Sequence, residues 1–278
     1  MKKTGMPQVS RKIIKSHDGL DLYYEIQAVG ADKPTLFFLH GVGGDLDAWR
    51  FIQNSLPDQD FSTIAMDLRG HGHSGHPRSP ENYQMANLVS DIITIIDQEK
   101  LEKIILIGHS FGAVVAYRFA IENPEKIEKL ILISPLFTSP SYLKHPAAKK
   151  IAHKLTNFIA KVSPKPVRPG HSIYPVGKFH KDYEWAGLIR TIFHNSLNSY
   201  LLSSKLMIDI DDKMALEKLP EKTLIIAGAK DSIALLADTQ RMQKRIPGSK
   251  LEVIPEANHV VILNNSAQVS GFLLDFIQ

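Results

Sequence analysis

Short apolar runs alternate with longer amphipathic stretches over most of this chain of 278 residues. The runs Thr35–His40, Phe61–Met66 and Lys103–Ile107 are apolar at nearly every position, which is typical of strands buried on both faces of a parallel sheet. Further strands are predicted at Arg11–Ser16, Leu20–Gln27, Lys129–Ile133, Thr223–Ala227 and Lys250–Ile254. The first two of these are joined by His17-Asp18-Gly19, whose Asp-Gly pair predicts a hairpin turn.

The stretches between these strands have the periodicity of helices. Within Asn82–Gln98, apolar residues recur at helical spacing at Leu88, Ile92, Ile95 and Ile96. Other helices are predicted at Asp47–Leu56 (with Asp45 or Asp47 as the N-cap), Phe111–Glu122, Ile233–Ile246 and Val261–Phe276. Apolar strands alternating with helices indicate an α/β fold, in which a mostly parallel sheet is covered by helices on both faces.

The alternation stops between about Pro135 and Pro220, where prolines are frequent and strand-like runs are missing. We therefore predict a core domain of residues 1–134 and 221–278, with residues 135–220 inserted as a helical cap. One apolar face at helical spacing is formed by Leu143, Ala147, Ile151, Leu155, Phe158, Ile159 and Val162, interleaved with Lys144, Lys149, Lys150, Lys154 and Lys161. We expect this helix to cover a site with its apolar stripe facing the substrate. Weak contact of this basic amphipathic helix with a lipid interface is the alternative.

The composition of the chain excludes several kinds of site and segment. At 44% hydrophobic and 22% charged residues, the chain has ample material for a core, and it contains no cysteine. Disulfides, structural thiolate zinc sites and cysteine nucleophiles are thereby excluded. No run approaches the roughly 18–20 apolar residues of a membrane helix. Met1–Pro7 is not followed by the apolar region of a secretory signal, so we expect a cytoplasmic protein.

The net charge of +4 is unevenly distributed. Residues 135–190 contain ten Lys or Arg but only two acids, Asp182 and Glu184. A solvated lysine-rich surface is the simplest interpretation, and attraction of anionic substrates or of an anionic lipid surface is the alternative. Nucleic-acid binding is not expected, because the lysines lack interleaved glycine and aromatic stacking motifs.

The segment Gly108-His109-Ser110-Phe111-Gly112 carries the main chemical signal. It is a G-x-S-x-G pattern directly between a predicted strand and a predicted helix, the context in which the serine is exposed on a sharp turn at a helix N-terminus. In another context the pentapeptide would indicate only a structural turn. Here it predicts that Ser110 is a nucleophile.

A serine hydroxyl needs a base to take its proton and an acid to orient that base. In this chain order, the acid follows a late strand and the histidine follows the last one. Asp231 and His259 fit these positions. Asp238, Glu256 and Asp209 are the competing acids. The other histidines are expected to be structural or solvated in the early loops (His40, His71, His73 and His76) and at the surface in the insertion (His145, His153, His171, His180 and His194).

Acyl transfer also needs two N–H donors aimed at the developing oxyanion. One is expected from Phe111, the residue after the nucleophile. The second is expected from the glycine-rich loop His40-Gly41-Val42-Gly43-Gly44, where we assign Val42, with Gly43 as the other candidate.

These motifs, together with Asp67-Leu68-Arg69-Gly70-His71-Gly72-His73-Ser74 and the turn Gly228–Asp231, resemble the α/β-hydrolase superfamily in its capped, single-domain serine hydrolase (esterase- and lipase-like) branch. The resemblance spans nearly the whole chain except the insertion. It implies an eight-stranded, mostly parallel sheet with a cap inserted between late strands, and it makes the Asp67–Ser74 stretch structural. Asn258 departs from the glycine that relatives often have there. Serine at position 110 argues against the epoxide hydrolase and haloalkane dehalogenase branches, which have aspartate.

The expected function is hydrolysis of a carboxylic ester with a small to medium apolar acyl group through an acyl-enzyme. Aromatic and apolar residues available to line the cap are Phe137, Phe158, Trp185, Phe193 and Leu197. The alternatives on the same fold are a carbon–carbon bond hydrolase (against which Phe111 is a weak hint), a lactonase, an iminopeptidase, or a small-molecule receptor with slow hydrolysis. No cofactor is expected, and the histidines lack the paired spacing of metal ligands.

Overall fold

A computed structural model describes residues 8–30, 32–57, 60–138, 145–163, 169–174, 182, 194–210 and 215–278. It contains one eight-stranded sheet in the order β1-β2-β4-β3-β5-β6-β7-β8. The strands are β1 (Val9–Lys15), β2 (Asp21–Gln27), β3 (Thr35–Leu39), β4 (Ser62–Met66), β5 (Ile104–His109), β6 (Ile127–Ile133), β7 (Thr223–Gly228) and β8 (Lys250–Ile254). Only β2 runs against its two neighbours, β1 and β4; the other pairs are parallel. The predicted α/β fold with a mostly parallel sheet is confirmed.

Helices cover both faces of this sheet. Those described are α1 (Arg50–Ser55), α2 (Met85–Gln98), α3 (Phe111–Glu122), α4 (Pro146–Val162), α5 (Leu197–Ile208), α6 (Leu236–Lys244), α7 (Val261–Asn264) and α8 (Ser266–Ile277). Successive side chains of a strand point to opposite faces. Phe37 and Leu39 accordingly pack with α2 and α3, whereas Leu36 and Phe38 pack with α1 and α8. Burial on both faces is why β3 is apolar at every position from Leu36 to Leu39.

Four predicted helices differ in their bounds. The helix predicted from Asn82 begins only at Met85, after the 3-10 turn Pro80–Asn82. The stretch from Asp47 begins as a 3-10 turn, Leu46–Trp49, capped by the Asp45 side chain, before α1. The predicted helix Ile233–Ile246 begins only at Leu236, because Asp231 holds the N–H groups of Ile233 and Ala234 in a turn. The last helix is divided into α7 and α8 at Asn265.

The Asp67–Ser74 stretch is held by buried polar contacts. Arg69 donates to both carboxylate oxygens of Asp91, at 2.6 and 2.7 Å, and both side chains are fully buried. Asp67 accepts hydrogen bonds from the N–H groups of Leu46 and His73. These charges therefore fix loops next to the carboxyl edge of the sheet.

Helices α4 and α5 lie in the chain between β6 and β7 and pack against each other. The expectation that the apolar stripe of α4 faces the substrate was wrong for Ile151, Leu155, Phe158 and Val162, which are 56–66% exposed. Leu143 lies outside the described residues. Helix packing explains the difference, since α4 uses Ala160 and the polar Asn157 to contact α5. Within the described ranges, no helix is long and apolar enough to cross a membrane.

Candidate active site

Ser110 lies on a sharp turn between β5 and α3. Its backbone has φ 53° and ψ −114°, a conformation that non-glycine residues rarely adopt and that stores strain. The flanking glycines are required by close backbone approach. A methyl group on Gly108 would overlap the Gly112 carbonyl oxygen, and one on Gly112 would overlap the Leu39 carbonyl oxygen. The Ser110 N–H donates to the Ile133 carbonyl at 2.9 Å, which fixes the turn to the end of β6.

The three residues predicted as a triad come together in one hydrogen-bonded chain. Ser110 Oγ lies 2.8 Å from His259 Nε2, and His259 Nδ1 lies 2.8 Å from Asp231 Oδ2. All three residues are at least 93% buried. Because the carboxylate can only accept, Nδ1 carries the proton and Nε2 is left to accept from the serine.

Asp231 is held as an ionised acceptor. Burial would raise the pKa of its carboxyl group. The hydrogen bond and charge of His259, with the N–H groups of Ala234 and Ile233, outweigh burial and leave that pKa below its ordinary value. Its Oδ1 accepts those two N–H groups at 2.7 and 2.8 Å. This arrangement fixes which carboxylate oxygen faces His259.

The competing acids have other partners. Asp238 pairs with Arg241, and Glu256 pairs with Lys230. Asp209 pairs with His153 at 2.9 Å in the insertion. Of these carboxylates, the structure places only Asp231 against His259.

The glycine-rich loop after β3 lies against the serine. A methyl group on Gly41 would be 3.3 Å from Ser110 Cβ and 3.2 Å from His109 Nδ1. The loop closes with a hydrogen bond from Gly44 N–H to the Gly41 carbonyl at 3.0 Å, and Gly43 has φ 75°. The backbone of this loop is therefore close enough to reach a group bound at Ser110.

The two candidate donors in this loop differ in their environments. Gly43 is buried, and its N–H donates to His71 Nε2 at 3.1 Å, whereas Val42 is partly exposed. Among the described residues, no hydrogen bond is found for the N–H of Val42 or of Phe111. Phe111 is the first residue of α3, whose N–H has no partner within its own helix. This favours Val42 over Gly43 as the second donor.

Two buried, uncharged histidines support the loop, His40 as a donor and His71 as an acceptor. His40 Nε2 accepts from Leu68 N–H at 3.0 Å, and His40 Nδ1 donates to the Gly41 carbonyl. Burial lowers the pKa of His71 to about 4 and that of His40 well below its usual value. The uncharged ring of His71 can therefore accept the Gly43 N–H throughout the neutral range.

Asn195, which sequence reasoning missed, ties the insertion to this loop. It is fully buried just before α5. Its Nδ2 donates to the Gly43 carbonyl at 2.9 Å, and its Oδ1 accepts from Gly72 N–H at 2.7 Å. No local pattern distinguishes this asparagine from a surface residue in the sequence.

A second segment of the insertion, residues 169–174, docks beside the same loop. His171 was expected at the surface, and that expectation was wrong: its side chain is 15% exposed and bonds Asp67 at 2.7 Å and Asp47 at 3.3 Å. Burial opposes its charge, but these two carboxylates outweigh burial and raise the pKa of His171 to about 10. Nearby, Ser172 N–H donates to Asp45 Oδ2, and Asp45 N–H donates to the Tyr174 hydroxyl.

The only described acid between residues 175 and 193 contacts the triad loops directly. Asp182 accepts from His259 N–H at 2.5 Å and from Ser232 N–H at 2.8 Å. His109, beside Ser110, donates through Nε2 to the His259 carbonyl at 2.9 Å. Both the N–H and the carbonyl of His259 are thus fixed. The sequence showed Asp182 only as a rare acid in a basic segment.

The residues predicted to line the cap pocket differ in their burial. Phe137 is buried and packs within the core, Leu197 is partly buried, and Phe158 is exposed. Trp185 and Phe193 lie outside the described residues, as does His180. In the part of the chain that the structure describes, no group of His, Asp and Glu side chains is arranged to hold a metal ion.

Comparison with known proteins agrees with this architecture. A family model described as the alpha/beta hydrolase fold matches residues 34–266. A putative 2-succinyl-6-hydroxy-2,4-cyclohexadiene-1-carboxylate synthase of Bacillus subtilis (strain 168) is 29% identical over 251 residues, 86% of this chain and 88% of that protein. An epoxide hydrolase 2 of Siraitia grosvenorii is 30% identical over 134 residues, 48% of this chain and 40% of that protein.

Solved structures share the fold at lower sequence identity. A thermophilic esterase from Thermogutta terrifontis has a TM-score of 0.74 at 21% identity, covering 96% of this chain and 98% of that one. The enol-lactonase from Burkholderia xenovorans LB400 has a TM-score of 0.73 at 20% identity, covering 96% and 99%. The likeness therefore extends over the sheet, the flanking helices and the chain as a whole.

Proposed function

Because this chain belongs to the alpha/beta hydrolase family, we propose that it is a serine hydrolase that cleaves a carboxylic ester through an acyl-enzyme. One observation carries the proposal: the continuous contact from Ser110 Oγ through His259 to Asp231, with 2.8 Å at each step. A buried serine with this contact is an activated nucleophile. The substrate is a small molecule with an apolar acyl group of small to medium size.

In the first half of the reaction, Ser110 Oγ attacks the acyl carbonyl and its proton passes to His259 Nε2. The Nδ1–H bond to Asp231 holds the imidazole in the required tautomer and stabilises the imidazolium that forms. His259 then gives this proton to the departing alkoxide, which leaves as the alcohol. The acyl group remains bonded to Ser110.

The negative charge on the former carbonyl oxygen is held by the N–H groups of Val42 and Phe111. Both are fixed before the reaction, Phe111 by α3 and Val42 by the bonds that His71 and Asn195 make to Gly43. Preorganised donors of this kind are each worth roughly 10²–10³-fold in kcat. In the second half, water attacks the acyl carbonyl while His259 takes its proton. His259 then returns this proton to Ser110 Oγ as the bond to the acyl group breaks and the acid product leaves.

We also infer that residues 135–220 act as a cap over the reacting groups. Support comes from three described parts of this insertion that touch the site loops: Asn195 at Gly43, Ser172 at Asp45 and Asp182 at His259. Acyl-group selection would then fall to the insertion and to Val42, the partly exposed apolar side chain of the glycine-rich loop.

The names of the relatives favour two further substrates for testing. A lactone is a cyclic ester that the same steps would open, and one solved neighbour is an enol-lactonase. The relative from Bacillus subtilis is named as a synthase of a cyclohexadiene carboxylate, which keeps carbon–carbon bond chemistry as the second candidate. The partial likeness to epoxide hydrolases is outweighed by serine at position 110, whose pairing with a histidine base suits acyl transfer.

The test is hydrolysis of p-nitrophenyl esters from acetate to palmitate by the wild type and by Ser110→Ala, with a five-membered lactone alongside. We expect a chain-length optimum in the wild type and loss of at least about 10³-fold in the variant. Retained turnover in Ser110→Ala would refute the nucleophile. A folded wild type that hydrolyses neither esters nor the lactone would refute the ester proposal and favour carbon–carbon bond cleavage.

A further inference from the structure

Helix α4 presents a continuous apolar stripe to solvent. Ile151, Leu155, Phe158 and Val162 are 66%, 56%, 66% and 64% exposed. Their spacing of four, three and four residues places them in one row along the helix. Single exposed apolar side chains are common on soluble proteins, but a contiguous row on one helix indicates an interaction surface.

A row of lysines runs beside this stripe. Lys150, Lys154 and Lys161 are exposed, and each directly precedes a residue of the stripe, at Ile151, Leu155 and Val162. One residue is about 100° of helical rotation, so the two rows are parallel neighbours on the exposed side. The helix Pro146–Val162 contains no Asp or Glu that would neutralise them.

The opposite face of α4 is already used for packing. Ala160 is buried, and Asn157 accepts a hydrogen bond from Lys205 of α5 at 3.1 Å. At the C-terminal end, Asn198 donates to the Ala160 carbonyl at 2.8 Å, and Arg78 of the core donates to the Ser163 carbonyl at 2.8 Å. The apolar stripe and the lysine row are therefore held outward in a defined orientation.

We propose that this face of α4 docks on an anionic lipid surface. The stripe would enter the boundary between headgroups and acyl chains, and the lysines would reach the headgroup phosphates by extending their side chains along it. A second copy of this chain fits less well, because an α4–α4 interface would set the lysines of each copy against a helix with no Asp or Glu to pair with them.

Docking in this orientation would bring α5, and with it Asn195, near the membrane. Asn195 bonds the Gly43 carbonyl, so the surface of α4 and the loop beside Ser110 belong to one continuous set of contacts. The docking itself does not depend on the proposed ester hydrolysis, since binding can be measured without turnover.

The experiment is co-sedimentation of the full chain with vesicles of phosphatidylcholine alone or mixed with phosphatidylglycerol, at low and high salt. The variants are Ile151→Ser/Phe158→Ser and Lys150→Gln/Lys154→Gln. The matched control is Ile13→Ser, which removes a 61%-exposed apolar side chain from β1, outside the proposed docking face. Circular dichroism confirms that each variant is folded.

We expect the wild type to bind the anionic vesicles at low salt. Its affinity should be at least about tenfold lower at high salt and for neutral vesicles. Both double variants should lose at least about tenfold in affinity for the anionic vesicles. Ile13→Ser should bind like the wild type. Lack of binding at low salt would overturn the proposal, as would equal loss in Ile13→Ser or equal binding to neutral vesicles. Dimerisation in gel filtration that Ile151→Ser/Phe158→Ser abolishes, without vesicle binding, would instead identify a second copy as the occupant.

Discussion

Substitution of Asp231 by asparagine tests the proposed acid through a single atom. In the wild type, Oδ1 accepts two backbone N–H groups and Oδ2 accepts the Nδ1–H of His259. In Asp231→Asn, the amide oxygen will keep the Oδ1 position. If the new amide were turned round, its NH2 group would face the two backbone N–H donors. Two hydrogen bonds, each worth about 1 kcal/mol of stability, would then be lost.

The amide nitrogen then faces His259 Nδ1 and donates to it. His259 must accept at Nδ1 and carry its proton on Nε2, which is the atom that has to take the proton from Ser110. Such a tautomer error costs about 10⁴-fold in kcat, or about 5.5 kcal/mol of transition-state stabilisation. KM should change little, because Asp231 is buried and its free carboxylate oxygen faces His259.

The assay is kcat on the best p-nitrophenyl ester, with folding checked by thermal melting. Asp238→Asn and Glu256→Gln are the matched controls, because each removes a carboxylate that pairs with a surface cation, and both should remain within about twofold of the wild type. An Asp231→Asn variant that keeps more than about a tenth of the wild-type kcat would refute the assigned geometry. Ser110→Ala/Asp231→Asn should be no slower than Ser110→Ala alone, since the residues act as a unit.

Two further substitutions test the contacts between the insertion and the core. Asn195→Ala and Asn195→Asp both lose the donor to the Gly43 carbonyl, so each should lower kcat about 10–100-fold with little change in KM; a raised KM at unchanged kcat would contradict the positioning role. His171→Gln should lower the melting temperature most below about pH 6.5. The folded pKa of His171 is raised to about 10, so its stabilising charge is fully present below the unfolded pKa and is lost as pH rises towards 10. A melting-temperature difference that is flat from pH 6 to 10 would exclude this ion pair as the cause.

The sheet could be predicted from the sequence because its signals are local. The central strands β3, β5 and β7 are short, largely apolar runs, and two predicted elements, Lys250–Ile254 and Phe111–Glu122, have the predicted bounds. The chain order of serine, acid and histidine then placed Ser110, Asp231 and His259 at the carboxyl edge of the sheet. The structure puts these three side chains within hydrogen-bond distance, and their catalytic roles stay predictions for the kinetic tests above.

The contacts made by the insertion could not be predicted because they join distant parts of the chain. Asn195 bonds residues 123 and 152 positions away, and nothing near it in the sequence indicates either partner. The orientation of α4 could not be predicted for the same reason. Helical periodicity predicted one apolar face, but which way that face points depends on the packing of Ala160 and Asn157 against α5.

The anchoring of the insertion limits how this protein could be re-engineered. A chimera that exchanged residues 135–220 for the corresponding segment of a relative would leave the Gly43 carbonyl, the Asp45 carboxylate and the His259 N–H without their present partners. Buried polar groups left unpaired cost roughly 1–3 kcal/mol each. A graft intended to change acyl preference would therefore need to retain Asn195, Ser172 and Asp182 while varying the residues between them.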